Sequence, residues 1–282
     1  MKIAVASGKG GTGKTTIATN LAQYVNNNSY RTVYLDCDVE EPNGHLFLKP
    51  VFEKRIASSI PVPVFDSSKC VACAECVRFC EYRALVRLGK KVMLFAELCH
   101  GCGGCTLVCP HQAITEQPRE IGYVESGNSK SVGFVHGQLN VGEAMSPPLI
   151  RDVLGQTHHH DINIIDSPPG TSCPVIASIR DADFVVLVTE PTPFGLNDLG
   201  LSLDMVKELG IPHGVVINRA DAQNGDAEEF CKKYQADILA MFPDDRRVAQ
   251  SYSRGEMILH TVPETEEQFC NLWQAILRRV NQ

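Results

Sequence analysis

Lys2-Ile3-Ala4-Val5-Ala6-Ser7-Gly8-Lys9-Gly10-Gly11-Thr12-Gly13-Lys14-Thr15-Thr16 is an apolar strand pattern running into a glycine-rich loop and then a helical pattern. Residues 8–15 match G-x-x-x-x-G-K-T. Glycines there let successive backbone N–H groups converge on phosphate oxygens, and the helix N-terminus adds a favourable dipole. Lys14 is expected to reach the terminal phosphates of a nucleotide, and the Thr15 hydroxyl to ligate Mg²⁺. The whole stretch from Gly8 to Thr16 is the expected phosphate cradle.

Beyond the loop, short β-branched apolar runs alternate with amphipathic segments. Lys2–Ser7, Arg31–Asp38, Ile162–Asp166, Asp183–Glu190, Gly214–Asn218 and Ile238–Phe242 read as buried strands. Segments near 15–26, 146–155, 173–181, 196–209, 225–235 and 267–281 read as helices. This alternation predicts an α/β fold, a mainly parallel sheet with helices on both faces and right-handed crossovers. Gly122–Glu125 and Val132–Gln138, joined by Ser126-Gly127-Asn128-Ser129, read as an added hairpin. A length of 282 residues suits one large domain or a large one plus a small one. The net charge of −7 and the lack of a basic run argue against a nucleic-acid face. No apolar stretch approaches the ~20 residues that span a bilayer. Residues 1–7 already read as a strand, so no cleaved signal peptide is expected.

Eight of the twelve cysteines fall into two runs of identical spacing, Cys70-x-x-Cys73-x-x-Cys76-x-x-x-Cys80 and Cys99-x-x-Cys102-x-x-Cys105-x-x-x-Cys109. Disulfide frameworks belong to short secreted chains, so thiols at this spacing predict metal ligation in a reducing cytoplasm. The segment opens at Ile60-Pro61-Val62-Pro63 and closes at Gln117-Pro118, and the prolines read as joints. Residues 60–117 are therefore expected to form a small α+β domain, internally duplicated, inserted into a larger one made of 1–59 and 118–282. Such runs wrap cuboidal clusters, with the fourth cysteine of each run serving the other cluster. That rule assigns Cys70, Cys73, Cys76 and Cys109 to one 4Fe–4S cluster, and Cys80, Cys99, Cys102 and Cys105 to a second. Zinc is the rival metal, though it favours four ligands in two separated pairs. A purely structural role for the clusters in a domain with little core is a further alternative.

With its early lysine, the loop resembles the deviant phosphate loop of the MinD, ParA, Mrp and nitrogenase iron-protein superfamily of P-loop ATPases. The resemblance covers the chain outside the insert, and it implies ATP as the nucleotide. It also implies that Lys9 crosses a homodimer interface to the partner's nucleotide, where a cation neutralises charge on the transferred phosphoryl group. Asp36-Cys37-Asp38 matches the first switch, which makes Asp38 the residue that positions the attacking water and faces the metal. Ile164-Ile165-Asp166-Ser167-Pro168-Pro169-Gly170 matches the Walker B segment and second switch, which makes Asp166 the outer Mg²⁺ partner. Asn218 and Arg219 match the adenine-contacting pair, and Pro243 and Asp245 lie in the second base-flanking segment. Residues 62–117 resemble bacterial two-cluster ferredoxins. There Glu81 replaces the proline expected after Cys80, and an added carboxylate is expected to lower the nearby cluster's potential.

Cys37, Cys173, Cys231 and Cys270 lie outside the runs. Cys173 resembles a cluster ligand of the nitrogenase iron protein, but with no second candidate between Pro110 and Cys173 it is expected to be a buried apolar residue. His158-His159-His160 reads as a solvated loop, since consecutive residues do not face one centre. Phe269, Leu272, Trp273, Ile276, Leu277 and Val280 share one face of the last helix, which is expected to dock on the sheet and not on a membrane. The expected function is a homodimeric cytoplasmic ATPase that couples Mg·ATP binding and hydrolysis to electron transfer through two 4Fe–4S clusters, with an unidentified redox partner protein and no nucleic acid. The alternatives are a cluster carrier of the Mrp type and a redox-sensing spatial organiser of the MinD/ParA type.

Overall fold

Apolar runs without polar alternation must be covered on both faces, and here they form the middle of a nine-stranded sheet. The computed structural model describes residues 1–156, 160–220 and 225–280. Its strands are β1 (Lys2–Ser7), β2 (Thr32–Asp36), β3 (Val51–Phe65), β4 (Leu85–Leu88), β5 (Lys91–Leu94), β6 (Ile114–Ser129), β7 (Val132–Leu139), β8 (Ile162–Pro169), β9 (Phe184–Thr189), β10 (His213–Ala220) and β11 (Ile238–Pro243). Its helices are α1 (Lys14–Asn27), α2 (Gly44–Leu48), α3 (Glu75–Phe79), α4 (Gly104–Leu107), α5 (Pro147–Leu154), α6 (Cys173–Ile179), α7 (Pro193–Glu208), α8 (Gly225–Lys233), α9 (Arg246–Ser253), α10 (Ile258–Thr261) and α11 (Thr265–Val280). The sheet runs β11-β10-β9-β1-β8-β2-β7-β6-β3. Every neighbouring pair from β11 to β7 is parallel, and β6 and β3 are added antiparallel.

One apolar layer packs α5, α6, α7 and α8 on one face of the sheet, and a second packs α1, α2, α10 and α11 on the other. In α11, Phe269, Leu272, Trp273 and Ile276 are all buried, and Trp273 meets Tyr30 edge to face at 5.3 Å. The last helix is therefore part of the core. Among the described residues no helix is long and apolar enough to cross a membrane.

The prolines near residues 60 and 118 are not joints. β3 and β6 pair along their whole length, from Val51 opposite Asn128 to Phe65 opposite Ile114, with Pro61 opposite Pro118. β7 pairs with β6 only from Gly122 to Ser129, so beyond Gly122 the ribbon has two strands and both are edges. A proline on an edge leaves no ladder bond unmade. The expected boundaries at 60 and 117 thus fall inside a continuous ribbon, and the cysteine segment sits at its tip. The expected hairpin turn is also displaced. Ser126–Ser129 are ladder residues, and the chain reverses at Lys130-Ser131 with Lys130 at φ 53°.

The tip repeats its own backbone. Ala72, Ala74 and Arg83 have left-handed φ angles, and so do Gly101, Gly103 and Gln112, each 29 residues later like the cysteines themselves. α3 starts directly after Ala74, and α4 directly after Gly103. β4 and β5 form a small separate hairpin between the two halves.

Trp273→Ala is expected to lower the unfolding free energy by about 3–5 kcal/mol, measured by denaturant titration. A loss below about 1 kcal/mol would remove α11 from the core.

Candidate functional site

β1 ends at Ser7 and α1 begins at Lys14, so residues 8–13 must turn the chain from the sheet into a helix. Gly11 and Gly13 do this in left-handed conformation, at φ 81° and 89°. A Cβ on Gly13 would run into the Asn218 side chain, which lies there to donate from Nδ2 to the Thr12 carbonyl at 2.7 Å. The loop opens at the carboxyl ends of the parallel strands, the end at which open α/β sheets bind ligands. A cavity of about 400 Å³ lies there. Gly10, Gly11, Gly13, Lys14, Thr15, Thr16, Asp38, Asn218, Arg219, Pro243 and Asp245 all line it.

Behind the cavity is a buried acid cluster. Lys14 Nζ donates to Asp166 Oδ1 at 2.5 Å, and the Tyr34 hydroxyl donates to Asp166 Oδ2 at 2.6 Å. Burial works against the Lys14 ammonium, but the Asp166 carboxylate outweighs it and holds the lysine pKa above its ordinary value. Asp36 accepts backbone N–H bonds from Gly44 at 2.9 Å and Asp38 at 3.2 Å. Burial and then the Asp166 charge push Asp36 well above the usual carboxylate range. Burial also pushes Asp38 up to about 6, with Lys14 pulling the other way. A divalent cation placed among these oxygens would reverse both carboxylate shifts.

Four residues read from the sequence stand elsewhere. Gly8 packs against the Asp198 backbone. Thr12 is buried, and its hydroxyl has no partner among the described residues. Asp166 lies behind Lys14 and is absent from the cavity wall. Lys9 also lies outside it, with Nζ 3.5 Å from Glu190 Oε2. Asp245 reaches the wall while capping α9, accepting from the Arg247 backbone at 2.7 Å.

Sequence reading missed Glu190, Tyr34, Glu41, Asn43 and Tyr252. Glu190 directly follows β9, and a carboxylate just past a buried strand is a legible signal. Tyr34 looked like ordinary core, and the last three reach the wall only by tertiary packing.

The eight clustered cysteines surround two other cavities. Cys70, Cys73, Cys76 and Cys109 line a narrow one with Phe65, Val92 and Ile114. Cys80, Cys99, Cys102 and Cys105 line a wider one of about 320 Å³ with Pro61, Phe79, Tyr82 and His100. The repeated left-handed residues curl each three-cysteine loop, and α3 and α4 carry each fourth cysteine across to the other half. Ala113 N–H donates to Cys109 Sγ at 3.3 Å. Burial raises the Cys76 and Cys105 thiols above their ordinary pKa. All twelve cysteines are free, and among the described residues no three His, Cys, Asp or Glu side chains converge on a single-ion site.

Cys173, expected to be buried, is exposed at the start of α6, while Cys37 and Cys231 are buried. In that helix Val175, Ser178 and Ile179 are the buried residues, and Cys173 stands at its first position, off that buried set. His158 and His159 lie outside the described residues.

The family described as "CobQ/CobB/MinD/ParA nucleotide binding domain" matches residues 3–258. The uncharacterized protein MJ0579 of Methanocaldococcus jannaschii is 33% identical over 92% of this chain and 91% of its own length. The iron-sulfur cluster carrier protein of Aquifex aeolicus is 26% identical, over 94% of this chain and 63% of its own. Among solved structures, the septum site-determining protein MinD complexed with Mg-ADP from Pyrococcus horikoshii superposes with TM-score 0.60 at 17% identity, covering 98% of this chain and 95% of that one. At that identity the likeness is one of fold.

Tyr34→Phe removes a buried hydrogen bond to a carboxylate and is expected to cost about 1.5–3 kcal/mol of stability, read from chemical denaturation. No loss would mean that Tyr34 does not support Asp166.

Proposed function

The chain belongs to the CobQ/CobB/MinD/ParA nucleotide-binding family, and from that premise we propose that it is a Mg·ATP-dependent ATPase, dimeric when ATP is bound, that couples nucleotide turnover to electron transfer through two 4Fe–4S clusters. The observation that carries this reading is the division of eight thiols between two cavities, each combining three cysteines of one run with the fourth of the other. Two-cluster ferredoxins share their ligands in the same crossed way. Thiols spread around a cavity suit a polynuclear cluster better than a zinc ion, which needs four donors converging on one point. On this reading the ferredoxin-like insert within 60–117 is the cysteine-bearing tip of the β3–β6 ribbon, whose strands run on into the ATPase domain of 1–59 and 118–282.

In the nucleotide cavity, Lys14 leaves Asp166 for the terminal phosphates. Thr15 and Asp166 are the residues that would hold Mg²⁺, which would supply charge to polarise the phosphoryl oxygens. Asp38 orients the attacking water. Asn218, Arg219, Pro243 and Asp245 flank the base. Lys9 lies outside the wall of its own cavity and would serve the partner's nucleotide.

The clusters would supply one-electron redox chemistry. Around them the chain would hold the thiolates in place, and the Ala113 N–H donates to Cys109 Sγ. Coupling has a physical route at the base of the ribbon. His136 of β7 is the register partner of Asp36, and it bonds Glu125 of β6 at 3.0 Å. Glu125 in turn pairs with Arg55 of β3 at 3.6 Å.

A second reading, cluster delivery, is favoured by the exposure of Cys173 and by relatives named iron-sulfur cluster carrier proteins. The test is an anaerobic EPR redox titration of the reconstituted protein with and without Mg·ATP. A midpoint shift of about 59 mV, a tenfold change in nucleotide affinity between redox states, is expected for coupling. Identical midpoints with ready loss of clusters to an apo-acceptor protein would favour delivery. Lys14→Ala is expected to abolish nucleotide binding, whereas Lys9→Ala should retain binding and lose hydrolysis. Full turnover in the Lys9 variant would end the partner-lysine assignment.

A further inference from the structure

The early lysine is held in place. Its Nζ lies 3.5 Å from Glu190 Oε2, and Glu190 Oε1 accepts from Arg219 Nη1 at 2.6 Å. The Glu190 side chain is 11% exposed, against 32% for Lys9 and 57% for Arg219. Among the described residues Glu190 forms no other ion pair. A nearly buried carboxylate therefore sits between a lysine that is not part of the cavity wall and an arginine that is. The Ser7 hydroxyl donates to the Lys9 carbonyl at 2.8 Å, which anchors the backbone and leaves the side chain as the part free to move.

Sharing has a definite physical consequence. A buried carboxylate deprived of its only cation is costly, whereas one that keeps a second cation is not. With Arg219 in place, Lys9 can leave without stranding a charge. We propose that Glu190 is the positioning residue of the early lysine: it keeps Lys9 turned out of its own nucleotide cavity and ready for a second copy of the chain, and Arg219 compensates the carboxylate when Lys9 departs. The destination of Lys9 rests on the ATPase reading above. The Glu190 contact and its sharing do not.

The test therefore uses nucleotide-free full-length protein. The rate of amine acylation at Lys9 is measured by mass spectrometry, with exposed Lys130 as the internal reference. A pair with one partner in reach of solvent is worth up to about 1 kcal/mol, so Glu190→Gln should speed Lys9 labelling by up to about fivefold. Arg219→Ala leaves Lys9 as the only cation on Glu190 and should slow labelling by a similar factor. Opposite signs from two neighbouring substitutions are not produced by general loosening, which would speed both and also disturb Lys130. Equal rates in wild type and Glu190→Gln, or faster labelling in Arg219→Ala, would overturn the proposal. ATP-dependent dimerisation, measured separately by light scattering, tests the ATPase reading. Its failure would leave the labelling result interpretable.

Discussion

A carboxylate with no exposure to water, Asp166, stands near the middle of the sheet, and the surrounding structure depends on its being paired. An isolated charge at that depth would cost several kcal/mol, so cation and hydrogen-bond donors must reach it from other elements. Lys14 reaches it from the first turn of α1, and Tyr34 from β2. These contacts join β8, β2 and the loop after β1 at one point. They also explain why the loop ends in two steps of left-handed glycine, since Lys14 must turn back towards the strand ends. The phosphate cradle and the centre of the core are thus one arrangement.

The cysteine module is under the opposite constraint. Among the described residues its buried cluster is Cys76, Leu85 and Ile114, with partly buried Phe65, Val77, Val92 and Leu94 against it, a small core for a unit of its size. It is instead carried on a long ribbon rooted in the main sheet, and two cavities in it are lined by thiols. The ribbon's base is bonded to the strand beside Asp36, so the module's support and the acid cluster share a wall.

The buried strands and long helices were legible because their apolar periodicity is local, and the observed bounds differ from the expected ones by a few residues. The ribbon was not, because proline has two meanings. It breaks a central strand but is harmless on an edge, and only the pairing partner decides which applies to Pro61 and Pro118. The exposure of Cys173 was hidden for a related reason. Nothing local distinguishes a helix's inward residues from its outward ones over a single turn.

By itself the sequence determined the alternation that makes a parallel sheet, the glycines that turn its first strand into a helix, and the duplicated spacing of eight cysteines. Each is a short-range property, set by backbone freedom and side-chain periodicity. The spacing also assigned each fourth cysteine to the other half, and the two thiol-lined cavities agree with it. Only the tertiary structure decided that Lys9 stands outside the wall of its own cavity, and that Glu190 lies between it and Arg219. Those are meetings of residues far apart in the chain, and packing selects them through the need to pair every buried charge.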